Sequence, residues 1–152
     1  MSAPKLQTQA IDLQISLPGR DELSLHLDVV NGRIESSQLK GRGCTEFLRL
    51  LQTWRPKLQG PLAELNVPVG HSHAEMLLRE AILKAKGEWQ FPYPDEEICH
   101  CRAVSTAKVD AAIVGGCRSA RAVARETSAG TSCGSCRPDT EAILSYRLQS
   151  KT

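Results

Sequence analysis

Ile98-Cys99-His100-Cys101-Arg102 and Gly130-Thr131-Ser132-Cys133-Gly134-Ser135-Cys136 are the stretches around which this chain of 152 residues is organised. The first holds a C-x-C pair and the second a C-x-x-C pair, with 31 residues between them. Four thiols in two close pairs meet at one centre only if the intervening chain doubles back, which two short helices accomplish. Soft thiolates suit structural zinc and an iron-sulfur cluster alike. The C-x-C is tighter than the gaps usual in zinc ribbons; this weighs against zinc, yet spacing alone leaves iron-sulfur, zinc and unligated thiols all open. A disulfide framework fits poorly, because Cys44 and Cys117 are scattered and nothing marks the chain as secreted.

The residues between the pairs carry helix signals. Ser105 stands where it caps a short helix with Val109, Ala112 and Ile113 on one face, and Gly115-Gly116 supplies a left-handed stop. Ser119 opens a second helix, with Ala120, Val123 and Ala124 inward, ending near Ala129-Gly130. Pro138 falls in the first turn of a third helix whose apolar side is Ile143 and Leu144. So short a domain has little core, and a bound metal centre would supply much of its folding free energy. Gly130-x-Ser132-x-Gly134 matches a hydrolase elbow in form only, since a polar helix rather than an apolar strand precedes it. Cys117 reads as a small buried thiol, and His100 as pointing to solvent.

With the runs 98–105, 115–119 and 127–138 in view, this region resembles the bacterioferritin-associated-ferredoxin-like (BFD-like) 2Fe-2S domain, a module also present in NifU scaffolds and nitrite reductases. The resemblance implies a small all-α helix-turn-helix domain. It also implies that two loops hold a 2Fe-2S cluster through Cys99, Cys101, Cys133 and Cys136.

Outward from that centre the signals change. A hydrophobic content of 41% indicates a folded protein, while 4% aromatics and a net charge of +2 argue against a nucleic-acid partner. No apolar run is long enough to span a membrane and Met1-Ser2-Ala3-Pro4-Lys5 is no signal peptide, so poised thiols point to a reducing cytoplasm. Ile11, Leu13, Ile15 and Leu17 alternate with polar residues, as do Leu23, Leu25, Leu27 and Val29, which predicts two half-buried strands. Asn31-Gly32 predicts a tight hairpin into a third strand over residues 33–39. Phe47, Leu48, Leu51 and Trp54 predict a helix over 45–54; Ser72-His73-Ala74-Glu75 predicts a capping box opening a second that ends at Gly87. The expected fold class is α+β. A three-stranded antiparallel sheet covered by helices spans 8–87, a proline-bearing linker 88–97 and the small 2Fe-2S domain 98–150.

Asn31-Gly32-Arg33-Ile34-Glu35 with Lys40-Gly41-Arg42-Gly43-Cys44, and the run 65–72, resemble the IscU/NifU-type scaffold domain. In that resemblance Cys44 matches the middle scaffold cysteine and His71 the histidine before the last, which makes them a secondary candidate site, while Ser72 stands where the last cysteine would be. One remaining thiol does not build a cluster. The expected function is therefore a NifU-like 2Fe-2S protein passing electrons to a partner in iron-sulfur or iron metabolism, without substrate chemistry of its own. Cluster carriage in iron-sulfur assembly and a zinc-stabilised interaction module are the other readings. Trp89, Phe91 and Tyr93 pack on a domain or form a docking strip, and Arg118, Arg121 and Arg125 form a solvated or partner-facing basic face.

Overall fold

A computed structural model of the chain describes residues 6–131 and 134–148. Strand β1 (Thr8–Leu17) pairs antiparallel with β2 (Asp21–Val30), placing Ile15 opposite Leu23 and Leu13 opposite Leu25. Asn31 and Gly32 both take positive φ, 52° and 78°, the mirror-image turn whose twist matches that of the strands it joins. It leads into β3 (Arg33–Arg42), which pairs with β2 until Val29 faces Ile34 and Asp28 faces Ser36, leaving Glu35 as a bulge. The predicted strand stops at 39. The observed one runs three residues further, because Gly41 and Arg42 continue the ladder against Leu23 and Glu22.

A fourth strand corrects the three-stranded expectation. β4 (Gly60–Pro61) pairs with Ile34 and Arg33 at the far edge of β3, giving the order β1-β2-β3-β4. Alternation holds along β2: Leu23, Leu25, Leu27 and Val29 are buried while Glu22 and Ser24 are exposed. Helix α1 (Thr45–Trp54) lies on the inner side of β3, since a methyl group at Gly41 would run into Leu51 and Phe47. Phe47 and Leu51 are fully buried, and each such burial contributes roughly 1.5–3 kcal/mol.

Helix α2 (His73–Lys86) starts as expected: the Ser72 hydroxyl accepts from the Glu75 amide at 3.1 Å and donates to its carboxylate at 3.0 Å. It ends in a Schellman arrangement, with the amides of Gly87 and Glu88 donating to the carbonyls of Lys84 and Leu83. Ala74, Met76, Leu77, Leu78, Ala81, Ile82 and Ala85 are all buried, along with Arg79 and Glu80. Arg79 donates to the Pro68 carbonyl and Glu80 pairs with Lys84, so the buried charges are met.

The chain divides into two units. One takes the chain up to Pro68 together with Leu77–Trp89; the other takes Val69–Met76 together with the chain from Gln90 onward. The second unit is not all-α, because a small hairpin, β5 (Glu97–Cys99) and β6 (Val104–Ser105), precedes its helices. Those helices are α3 (Thr106–Gly115), α4 (Ala120–Thr127) and α5 (Arg137–Leu148). Ser105 and Ser119 cap α3 and α4 through hydrogen bonds of 3.1 Å from the amides of Lys108 and Ala122. The core joins Ile98, Val104, Val109, Ile113, Val123 and Ile143, with Phe91 and Tyr93 packed against it. Arg147, 4% exposed, bridges α5 to α3 by gripping both carboxylate oxygens of Asp110 at 2.7 and 2.6 Å.

Candidate metal centre

Cys99 ends β5, where the hairpin register sets it opposite Val104 and buries it. The chain turns through His100, Cys101, Arg102 and Ala103, the last at φ 52°, and the turn leaves Cys101 exposed. His100 is exposed, and its Nδ1 lies 2.8 Å from a Glu97 carboxylate oxygen. The hairpin is fixed from behind: the Thr106 hydroxyl donates to the Asp95 carbonyl at 2.6 Å and its amide to the Glu96 carbonyl at 2.7 Å.

Cys136 immediately precedes α5, and its carbonyl accepts from the Thr140 amide at 3.0 Å and the Thr140 hydroxyl at 3.1 Å. It is buried, at the N-terminal end of a twelve-residue helix. The approach to it is sharply turned. Ser128 ends α4 in left-handed geometry, Thr131 folds back by amide and hydroxyl onto the Ser128 carbonyl, and Gly130 takes φ 80°. A Cβ on Gly130 would sit 3.7 Å from the Cys136 sulfur, so the loop runs past that sulfur at contact distance. Cys133 lies outside the described residues. Cys99 and Cys136, 37 positions apart, are brought into one core, and no disulfide joins Cys44, Cys99, Cys101, Cys117 and Cys136.

The remaining candidates fall elsewhere. Cys117 packs, partly buried, against the same core, and burial pushes its thiol pKa up, with Glu126 adding to the shift and Arg118 opposing it. Cys44 is exposed at the start of α1, its amide donating to a carboxylate oxygen of buried Asp21 at 2.9 Å. His71 is exposed in the segment before α2, in the second unit, whereas Cys44 belongs to the first. Arg118 is not a surface cation in waiting: it donates to the Ile113 carbonyl at the end of α3 and to the His71 carbonyl at 2.7 Å. Tyr93 went unremarked as a site residue in the sequence. Its hydroxyl donates to the Glu97 carbonyl at 2.9 Å, and burial, then the charges of Asp95, Asp139, Cys136 and Glu97, push its pKa up. Only the aromatic spacing of the linker hinted at it.

Residues 97–145 match the BFD-like 2Fe-2S binding domain. The match begins at β5 and ends within α5, so it encloses both cysteine pairs. A nitrate reductase of Klebsiella oxytoca is 41% identical over 51 residues, which are 34% of this chain and 6% of that protein. No solved structure matches the chain. The family settles what spacing left open between zinc and iron: the cofactor is a 2Fe-2S cluster. The residues fit it, since the donors are soft sulfurs, two of them share one buried core, and glycine at position 130 leaves the space beside the Cys136 sulfur free of a side chain. When bound, the cluster supplies one-electron chemistry. Of the thiols that would hold it, Cys101 is exposed while Cys99 and Cys136 are buried. No helix among the described residues is long and apolar enough to cross a membrane.

Proposed function

We propose that this is a NifU-like electron-transfer protein, in which Cys99, Cys101, Cys133 and Cys136 hold the 2Fe-2S cluster and pass single electrons to a protein partner in iron-sulfur or iron metabolism. The observation that carries the reading is the convergence of Cys99 and Cys136 in one core inside the segment that matches the BFD-like domain. The similar segment in a nitrate reductase supports an electron-delivery role, because reducing nitrate consumes electrons. In this reading residues 8–87 are a scaffold-like domain that serves for docking, residues 98–150 the cluster domain, the compartment is the cytoplasm, and the chain performs no substrate chemistry. Anaerobic purification followed by absorbance, iron and acid-labile sulfide analysis tests it. Two irons and two sulfides per chain, lost in Cys133→Ser, are expected; a colourless, zinc-only preparation that takes up no iron would refute it.

Cluster carriage in assembly is the second reading, supported by the exposed Cys44 at the start of α1. A carrier donates its cluster to an apo-ferredoxin and loses that transfer in Cys44→Ser. An electron carrier cycles reversibly with its iron retained, whatever residue stands at 44.

A further inference from the structure

A groove of about 270 Å³ runs between α4 and the start of α5, lined by Arg121, Ala124, Gly130, Arg137 and Thr140 among others. Its wall at Gly130 carries no side chain, and a Cβ there would lie 3.7 Å from the Cys136 sulfur, so at this point only backbone stands between the groove and that sulfur. Both guanidiniums are out of keeping with their helices. Arg121 lies in the first turn of α4 and Arg137 opens α5, where the helix dipole disfavours a cation. Among the described residues Arg121 has no acidic partner, and Arg137 has only an exposed approach of 3.5 Å to Glu141. Residues that break a local folding rule without a compensating contact mark function. Arg118, by contrast, is spent on backbone carbonyls and drops out of any basic face.

We infer that the α4–α5 groove is the electron-exchange face, and that Arg121 and Arg137 select a redox partner presenting aspartate or glutamate side chains. This rests on the cluster reading above and names the chemistry of the partner. In the exchange one electron leaves the reduced cluster and reduces the acceptor by one, with no bond made or broken.

Small oxidants of opposite charge test the face. The dithionite-reduced full chain is mixed in stopped flow with ferricyanide, an anion, or with tris(phenanthroline)cobalt(III), a cation. For the native protein the ferricyanide rate should fall with added salt. R121E/R137E should slow ferricyanide about 10-fold, abolish that salt dependence and leave the cobalt rate equal or faster. Glutamate suits the first turn of a helix, so the variant should fold, and its iron, sulfide and absorbance verify the cluster. R33E/K40E, with the same change in net charge on β3, should alter the ferricyanide rate by less than about two-fold. Equal slowing by both doubles, with clusters intact, would overturn the docking face alone. Suppression by inorganic phosphate beyond that of chloride at matched ionic strength would reassign the groove to a free anion and overturn it too. A native chain without iron and sulfide would instead overturn the cluster reading on which the face depends.

Discussion

The first unit closes on large side chains, with Leu25, Leu27, Phe47 and Leu51 sealed beneath or against the sheet. The described core cluster of the second has ten buried residues, two of which are cysteines, and the others are mostly valine, isoleucine and alanine. The second unit caps α3 and α4 with Ser105 and Ser119, whereas α1 of the first opens without a side-chain cap. The units also differ in what fills the middle. Leucine and phenylalanine fill the first, whereas the second sets two buried sulfurs among its valines and isoleucines, and metal ligation by such sulfurs would add to folding free energy. One polypeptide thus sets a core of apolar side chains alone beside a core that carries thiols, and only the second has groups through which a metal centre could add to its stability.

The sharpest way to break that contrast is to remove the cluster. Cys136→Ala, or chelation of the iron, should abolish the visible absorbance and the helical ellipticity of the second unit, while the β-sheet signal of the first persists. Retention of that helical signal in the apo protein would mean that the second core is self-sufficient. Phe47→Ala should do the converse, lowering the stability of the first unit by about 4 kcal/mol in urea titration while the absorbance stays intact. Asp110→Ala leaves Arg147 buried without its carboxylate and should cost about 3 kcal/mol, read as a lower midpoint for loss of the cluster absorbance. Ser105→Ala and Ser119→Ala each remove a cap and should lower the same midpoint by about 1 kcal/mol in stability.

The smallest effect sharpens the comparison from the first unit's side. His26 bridges Asp12 at 2.6 Å and Asp28 at 3.1 Å across the solvent face of the sheet, and Asp12 above all holds its pKa over the ordinary histidine value. The folded state therefore binds this proton more tightly than the unfolded chain does. Its contribution is full below the ordinary value and is lost as pH rises through the folded one. A urea midpoint that declines slightly across that window in the native protein and stays level in His26→Gln is expected. A native midpoint that rises instead would refute the assignment.

Much of the fold was legible because local rules and the final packing agree. The Leu23-to-Val29 alternation, the Asn31-Gly32 turn, the 45–54 helix and the caps at Ser72, Ser105 and Ser119 are short-range signals that tertiary structure left untouched. β4 was invisible, since two residues, one a proline, show no period and pair only because β3 offers an edge. The β5–β6 hairpin was hidden for a related reason: its turn is written in cysteine, histidine and arginine rather than in turn residues. Val69–Met76 belongs to the second unit, where Arg118 and Arg147 reach the carbonyls of His71 and Met76, contacts between residues 47 and 71 positions apart that no local signal announces. At the candidate site the cysteine pairs were readable from spacing, whereas Tyr93 and the Arg121–Arg137 pair were not. Tyr93 reaches the Glu97 carbonyl through the folding of the linker, and the two arginines meet along one groove through the packing of two helices, neither of which leaves a motif.

Ser72 has one more consequence. Its hydroxyl is at once acceptor and donor to Glu75, a double duty that a thiol performs poorly because S–H is a weak donor and sulfur a weak acceptor. Installing cysteine at position 72 would thus loosen the opening turn of α2. A change of residue type at this position is therefore felt first in the stability of the helix it opens.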